Sequence, residues 1–292
     1  MINPFFKAEW LREGRNIRLP LMIIFYNAIM AFIMILFMVF NEESFQKGYY
    51  YDTSTYQYQF LIISTFQIAA IFFLLPFSAS RLFGPDKEKH MLEQFDMIPG
   101  ISVQYVTAKI LMILAVNMLL FVSGLPIATL SCIYTGISGT KLLRLGAMIL
   151  LYAFWGGSIA IFFYSICSKA VWAFTGTLFA QLMFSIGTLV LAEMLRNSAL
   201  LFSDTGKLPE QISALCLCLL VLNPLSSYMG YYGNLTGDIG IFSNLCSYLG
   251  IDTSRKIFIF LFYKVSSLVC VLVGILFLAL SIWYMDRRRK NL

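Results

Sequence analysis

Long apolar runs alternate along this chain with short polar or charged segments. An α-helix needs about 20 apolar residues to cross the hydrocarbon of a bilayer. Six runs are long enough, and they cover residues 19–40, 59–83, 106–134, 145–167, 171–195 and 265–284. The pattern predicts an all-α integral membrane protein that forms a single transmembrane domain of six helices.

The segment from residue 196 to residue 256 departs from this alternation. Its apolar run, residues 212–222, is too short to cross a membrane and is followed at once by Asn223-Pro224. Basic residues near both ends of the chain favour the cytoplasm for both termini, which requires an even number of crossings. We therefore expect residues 196–256 to form an external region with re-entrant helices, and no seventh span.

The first 18 residues predict a helix that lies along the membrane surface. They carry Glu9 and Glu13 and lead into a full-length span without a small-residue cleavage site, so they do not indicate a cleavable signal. On a helical projection one face is apolar and the cations gather opposite: Ile2, Phe6, Trp10 and Ile17 against Lys7, Arg12, Arg15 and Arg18. We expect this helix on the cytoplasmic leaflet, with its cations toward anionic lipid.

A charged segment, residues 80–109, separates the second and third spans. Its apolar residues recur at helical spacing, and Pro85 and Pro99-Gly100 suit the first turn and the end of a helix. The pattern predicts a short amphipathic helix over residues 85–98, whose apolar face consists of Met91, Leu92, Phe95 and Ile98. Such a helix either rests in the lipid headgroups or docks onto a partner protein.

Composition narrows the chemistry that the chain can perform. It is 59% hydrophobic and 12% charged, with a mean hydropathy of +0.78, which excludes an ordinary soluble domain. The predicted spans contain no Asp or Glu except Glu193, whereas ion-coupled carriers and intramembrane enzymes usually need ionisable groups at the midplane. The single histidine, His90, has no second ligand or base beside it. We expect no catalytic residue, no metal site and no enzyme activity in this chain.

The remaining motifs are weak. The six cysteines have no metal-site spacing and suit apolar packing, although Cys246 could pair with Cys216 or Cys218 outside the membrane. Residues 136–141, Gly-Ile-Ser-Gly-Thr-Lys, do not have the spacing of a phosphate-binding loop. We expect no nucleotide site on this chain, so if it moves anything uphill, the energy must come from another subunit.

The charged segment contains one further pattern. It reads Asp86-Lys87-Glu88-Lys89, then Leu92-Glu93, Phe95 and Pro99, with Ser102 and Lys109 following. This order resembles the motif E-R-E-K-G-T-L-E-x-L-x-x-x-P, followed by Ser and Lys, of permeases in the ABC type-2 exporter family; His90-Met91 replaces the usual Gly-Thr. Asn3-Pro4 near the start and Asn223-Pro224 before the last span are also similar to family features.

The resemblance implies a half-transporter in the cell membrane with both termini in the cytoplasm. It would pair with a second permease copy or a related permease, above cytosolic ABC ATPase subunits that bind ATP and Mg, so no cofactor and no nucleic acid is expected on this chain. Residues 1–18 would be the elbow helix and residues 85–98 the coupling helix. The ATPase contacts would come from Asp86, Glu88, Met91, Leu92, Glu93, Phe95 and Ile98.

Polar residues within the spans are candidates for a path of the cargo between two permeases. These are Gln67 in the second span and Thr177, Gln181 and Ser185 in the fifth. They line a central cleft, or they form hydrogen bonds between helices. The cargo class would be amphipathic: a peptide, an antibiotic or a lipid-like molecule. The alternative function is a membrane scaffold or sensor that recruits a cytosolic partner through residues 85–98 and transports nothing.

Overall fold

A computed structural model of the chain describes residues 3–40, 53–88, 101–135, 138–201, 209–236, 240–249, 251 and 256–290. All regular structure in these ranges is helical, and none of these ranges contains a strand. The helices are α1 (Pro4–Gly14), α2 (Arg18–Phe40), α3 (Thr53–Glu88), α4 (Ile101–Thr135), α5 (Gly139–Ile166), α6 (Ala170–Leu182), α7 (Thr188–Leu201), α8 (Glu210–Leu222), α9 (Pro224–Thr236), α10 (Gly240–Tyr248) and α11 (Lys256–Lys290). A π-helical turn, Met183–Gly187, joins α6 to α7.

Six stretches of helix among the described residues are long and apolar enough to cross a membrane, as the sequence predicts. They are Arg18–Phe40, Gln59–Asp86, Ile101–Leu130, Gly139–Ile166, Ala170–Leu201 and Leu261–Arg288. The main difference is at the charged ends, where α4 already begins at Ile101 and α3 continues to Glu88. Hydropathy marks only the apolar part of a helix, whereas the backbone hydrogen bonds continue into the polar ends. The chain is a multi-pass membrane protein.

The chain divides into two compact units, Met1–Phe174 with Phe277–Leu292, and Thr175–Leu276. The first unit is built around α5, of whose apolar window 72% is buried. Two glycines let α5 approach α4 closely: a β-carbon at Gly146 would lie 2.7 Å from Cε1 of Phe121, and one at Gly157 would lie 3.0 Å from Cδ1 of Ile110. The core of this unit includes Leu75, Leu82, Val106, Ile113, Ala153, Ala160 and Tyr164.

The second unit contains the short helices between the fifth and last spans. The predicted apolar run 212–222 lies in α8, which ends at Leu222 with Asn223 as its C-cap and is bent by 91° from the following helix. Asn223 holds this bend: its Nδ2 donates to the carbonyl oxygen of Ser185 at 2.6 Å and to Oγ1 of Thr188 at 2.8 Å, and its Oδ1 accepts from the backbone N–H of Leu225 at 2.8 Å. The side chain therefore joins the break to the π-helical turn, where regular backbone pairing is interrupted.

The cysteines of the second unit are free thiols. Cys216 and Cys246 are buried in the core that α7, α8 and α10 share, and Cys218 is exposed. The pairing of Cys246 with Cys216 or Cys218 that the sequence left open is therefore not present. Burial raises the pKa of the Cys246 thiol to about 12, so this side chain stays protonated and packs as a small apolar group.

Candidate functional site

Helix α1 is attached to α4 from its first residue. Asn3 caps α1, because its Oδ1 accepts from the backbone N–H of Phe5 at 3.0 Å and Pro4 follows at the first helical position. Its Nδ2 donates to the carbonyl oxygen of Gln104 at 2.7 Å. The side chain that starts the helix thus also fixes its position on the bundle.

The inward face of α1 is acidic. Glu9 and Glu13 are four residues apart, lie on one side of the helix and are buried, whereas Trp10 is 48% and Ile17 is 79% exposed. Phe5 and Phe6 instead pack against the core of the first unit. Arg12 was expected to face lipid with Lys7, Arg15 and Arg18, which are exposed. It instead contacts Glu9 of its own helix and Asp86 of α3.

Lys109 of α4 is the centre of an ionic cluster and is 1% exposed. Its Nζ lies 2.7 Å from Oε1 of Glu9, 2.5 Å from Oδ2 of Asp86 and 2.7 Å from the carbonyl oxygen of Leu82. The ammonium group has three N–H donors, and each has an acceptor. One side chain therefore joins α1, the end of α3 and the start of α4.

Arg12 completes the cluster from the opposite side. Its guanidinium donates to Oδ1 of Asp86 at 3.1 Å, to the carbonyl oxygen of Leu82 at 3.0 Å and to Oε2 of Glu9. The hydroxyl of Tyr105 donates to Oδ2 of Asp86 at 3.0 Å. Two cations and two anions balance, and each oxygen of both carboxylates accepts at least one hydrogen bond, which is the condition under which buried charges are tolerated. We call Glu9, Arg12, Asp86 and Lys109 the anchor cluster.

A second ion pair continues the contact between α1 and α3. Nε of Arg81 lies 3.1 Å from Oε2 of Glu13, and both side chains are largely buried. Aromatic rings close the other side of the anchor cluster, since Nζ of Lys109 is 5.0 Å from the ring centroid of Phe83 and 5.1 Å from that of Tyr105. A cation over aromatic faces gains further electrostatic stabilisation in a dry environment.

The end of the last helix lies at the same end of the first unit as α1. Oγ of Ser102, in the first turn of α4, donates to Oδ1 of Asp286 near the end of α11 at 2.7 Å. Ser102 and Lys109 lie in α4, and they contact α11 and α1 respectively. Both termini of the described chain therefore lie on one side of the bundle.

The predicted coupling residues fall at the edge of the described chain. Asp86 is in the anchor cluster and faces the bundle, and Glu88 is the last residue of α3. The remaining five, Met91, Leu92, Glu93, Phe95 and Ile98, lie outside the described residues. Helix α3 runs through Pro85, so the helix start predicted there is not a separate one, and residues 85–88 belong to the second long helix.

The four predicted path residues are all buried but divide between the two units. Gln67 belongs to the first unit, where it lies with Tyr26 beside Gly124. Thr177, Gln181 and Ser185 share one face of the fifth span in the second unit. The side-chain amide of Gln181 has no hydrogen-bond partner among the described residues. Ser185 is part of the π-helical turn, where its carbonyl accepts from Asn223.

The sequence did not point to Glu9, Arg12 or Lys109 as partners. Arg12 and Asp86 are 74 positions apart, and Glu9 and Lys109 are 100 apart, so no local spacing joins them. A signal was nevertheless present in α1: acids at positions 9 and 13 share a helical face, which is unusual for a helix expected to interact with anionic lipid.

Among the described residues, no group of three or more His, Cys, Asp or Glu side chains is placed to hold a metal ion. The anchor cluster itself offers no base or nucleophile, because its donors and acceptors are already paired. No family model matches the chain, and neither does a curated protein or a solved structure. The arrangement fixes three helices to one another: α1, the end of α3 and α4.

Proposed function

We propose that this chain is the membrane-spanning permease subunit of an ATP-driven exporter of the ABC type-2 kind, in the cell membrane, with separate cytosolic ATPase subunits. The observation that carries the proposal is the anchor cluster. It joins Asp86 and Lys109 across a 2.5 Å salt bridge, and these two residues flank residues 89–100, where the docking motif lies. A docking segment whose flanking helices are held together can transmit a movement of its partner to those helices.

The anchor cluster determines how a force on residues 89–100 would reach the membrane helices. A push on a flexible connection is lost in bending, whereas a push on a segment held at both ends moves the attached helices together. Here the attached helices are α3, α4 and, through Glu9 and Arg12, α1. Helices α3 and α4 pack on α5 in the core of the first unit, so this body would move as a whole when the ATPase subunits close.

The location of the two termini supports the proposed topology. Six crossings return the chain to the side where it started, in agreement with the contacts that bring α1 and the end of α11 to the same end of the first unit. The bent pair α8 and α9 would then be a re-entrant element on the external side. The Arg287-Arg288-Arg289-Lys290 tail favours the cytoplasm for the shared side.

The proposal also assigns a role to each partner subunit and to the buried polar residues of the spans. ATP and Mg would bind to the partner ATPase, and a second permease copy or a related permease would complete the pathway. An amphipathic cargo would pass near Gln67, Thr177, Gln181 and Ser185, where buried amides and hydroxyls lie among apolar side chains.

Co-purification tests the proposal. The protein is extracted from native membranes in mild detergent, and ATP hydrolysis is measured on the complex. We expect a phosphate-loop ATPase to co-purify, and we expect the double variant Leu92→Asp with Phe95→Asp to lose it, because two carboxylates would have to enter an apolar groove. The control is Arg15→Asp on the exposed side of α1, which also adds negative charge near the same end of the bundle.

The outcomes separate the two functions weighed from the sequence. Loss of the ATPase in the double variant, with correct membrane insertion and retention in the control, supports the permease. An ATPase that remains bound to the double variant contradicts the coupling segment. A complex that contains another cytosolic protein and no ATPase favours the scaffold or sensor.

A further inference from the structure

Residues of three helices meet at the corner where the chain turns from α1 into α2. Glu13 lies in the last turn of α1, Arg18 begins α2, and Arg81 contacts Glu13 from α3. Arg18 is exposed, whereas Glu13 is 2% exposed and 11% of the Arg81 side chain is accessible. All three belong to the first unit. The corner therefore holds one buried and one exposed guanidinium.

Arg81 retains unused hydrogen-bond donors. Its Nε lies 3.1 Å from Oε2 of Glu13, yet Nε and Nη2 are buried and donate no hydrogen bond within the described part of the chain. A guanidinium has five N–H donors, and a buried donor without an acceptor is unfavourable. The single carboxylate of Glu13 cannot engage all five donors, so Arg81 is open to an acceptor from another molecule.

The charge around Arg81 is positive. Arg12 and Arg18 both lie close enough to act on its charge, and Glu13 supplies the opposing negative charge. Arg12 is already engaged in the anchor cluster, which is neutral as a whole. Arg18 makes no ion pair among the described residues. The corner therefore has one positive charge more than its carboxylates balance, and it attracts an anion.

The corner lies at the level of the lipid headgroups. Arg18 is the first residue of the first span, and Arg81 lies near the end of the second. In the turns that follow Arg18, three apolar side chains, Leu21, Ile24 and Phe25, are each at least 64% exposed. Of the apolar window of α2, only 17% is buried. An occupant of the corner thus meets cations at its polar end and an exposed apolar helix along its length, which is the pattern of a phospholipid.

We propose that this corner binds one acidic phospholipid, with the phosphate between Arg81 and Arg18 and the acyl chains along the exposed face of α2. The guanidinium provides a fork of donors that matches phosphate oxygens. A headgroup without a cation suits the positive corner better than a choline headgroup does. The bound lipid would join the start of α2 to α3 beside the pair of Arg81 and Glu13. This site does not depend on the chain being an exporter.

Native mass spectrometry of the delipidated protein tests the site, with equimolar phosphatidylglycerol and phosphatidylcholine as probes. We expect one phosphatidylglycerol to be retained with a preference of about tenfold, because choline would bring a cation toward two guanidiniums. Arg18→Gln should lower this preference about fivefold, the effect of one cation near the headgroups. The matched control is Arg15→Gln, which removes the same charge from another exposed arginine of this segment and should change the preference by less than about twofold.

A second variant removes the buried guanidinium without changing the net charge. The double variant Glu13→Gln with Arg81→Gln replaces the ion pair by two amides, so no unpaired charge is left in the core. We expect it to lower the preference for phosphatidylglycerol about tenfold, because the fork of donors is gone. General attraction of an acidic lipid to a basic surface predicts no loss in this variant.

Four results would overturn the proposal. Equal loss in Arg15→Gln and Arg18→Gln, or an unchanged preference in the double variant, would indicate general attraction to the basic segment. Equal retention of both lipids by the unaltered protein would contradict a preference for an acidic headgroup. Displacement of phosphatidylglycerol by low-millimolar inorganic phosphate would indicate a site for a free anion.

Discussion

Lys109 carries its positive charge at a point that water does not reach. An isolated ammonium there would be strongly unfavourable, and here Glu9, Asp86 and the Leu82 carbonyl surround it with acceptors. A buried pair of this kind adds little net stability compared with apolar packing, but removing one partner is costly because it leaves the other charge unpaired. The main role of the anchor cluster is therefore to fix the positions of α1, α3 and α4, and its net contribution to stability is small.

Removal of the central cation should destabilise the first unit severely. Lys109→Met leaves Glu9 and Asp86 buried with one cation between them, and we expect the free energy of unfolding to fall by about 3–5 kcal/mol. Denaturant or thermal unfolding in detergent measures the change. Lys7→Met is the control, because Lys7 is exposed on α1 and should change stability by less than about 0.5 kcal/mol. Equal effects would show that the contacts of Lys109 do not matter.

The thiol of Cys246 should react slowly in the folded protein. Its pKa is raised to about 12 by burial, so at pH 8 to 9 almost no thiolate is present. Because the folded state holds the proton more tightly than the unfolded chain, stability falls as pH rises from about 9 toward 12. With single-cysteine proteins, maleimide labelling of Cys246 should be more than about tenfold slower than labelling of the exposed Cys218. Similar rates would contradict the burial.

Helix α1 shows at the scale of one element what hydropathy can and cannot predict. The helix itself, its Asn3-Pro4 start and its exposed Trp10 follow from residues close together in the sequence. Its orientation does not, because the inward face is chosen by Asp86 and Lys109, which are far away in the chain. The six spans were predictable for the same reason that α1 was: length and apolar composition are local properties.

The contact between α4 and α5 depends on two small residues. Gly146→Ala and Gly157→Ala should each cost about 1–3 kcal/mol, because the added methyl group overlaps Phe121 or Ile110 and Ile113 in a packed core. Unfolding in detergent measures the loss. Gly139→Ala is the control, since a β-carbon there would meet nothing within 4 Å. If all three variants behave alike, helix propensity and not packing explains the result.

The break between α8 and α9 should depend on Asn223. Asn223→Ala removes the donors to Ser185 and Thr188 and leaves buried acceptors unpaired, at an expected cost of about 1–3 kcal/mol in the second unit. Hydrogen exchange of the amides in α8 and α9 reports this loss locally. Asn244→Ala, on the exposed side of α10, should leave exchange unchanged. Undisturbed exchange in Asn223→Ala would mean that Pro224 alone maintains the bend.

The number of spans in the molecule could be predicted from the sequence, but its division into two compact units could not. Span number and the positions of polar breaks are written in the hydropathy pattern, whereas the two compact units separate inside spans, at residues 174 and 276, where composition does not change. The path residues show the same limit: Gln67 and Gln181 look equivalent as polar positions among apolar ones, yet they belong to different units. Which helices form one body depends on packing across the chain.

Topology can be measured at two exposed serines. On a cysteine-free background, Ser138→Cys at the start of α5 should react with a membrane-impermeant maleimide in intact cells. Ser168→Cys, in the turn between α5 and α6, should react only after permeabilisation, because the proposed orientation puts that turn in the cytoplasm. The reverse pattern would invert the orientation. Labelling of both in intact cells would contradict a single crossing by α5.

The anchor cluster also sets an order of events during synthesis. Glu9 leaves the ribosome 100 residues before Lys109, and at about 5–20 residues per second this interval is about 5–20 seconds. Until then Glu9 and Asp86 lack their central counter-ion, so α1 cannot complete its dock and the second span has no fixed end. The contacts that hold α1 on the bundle can therefore be completed only after the third span has been synthesised.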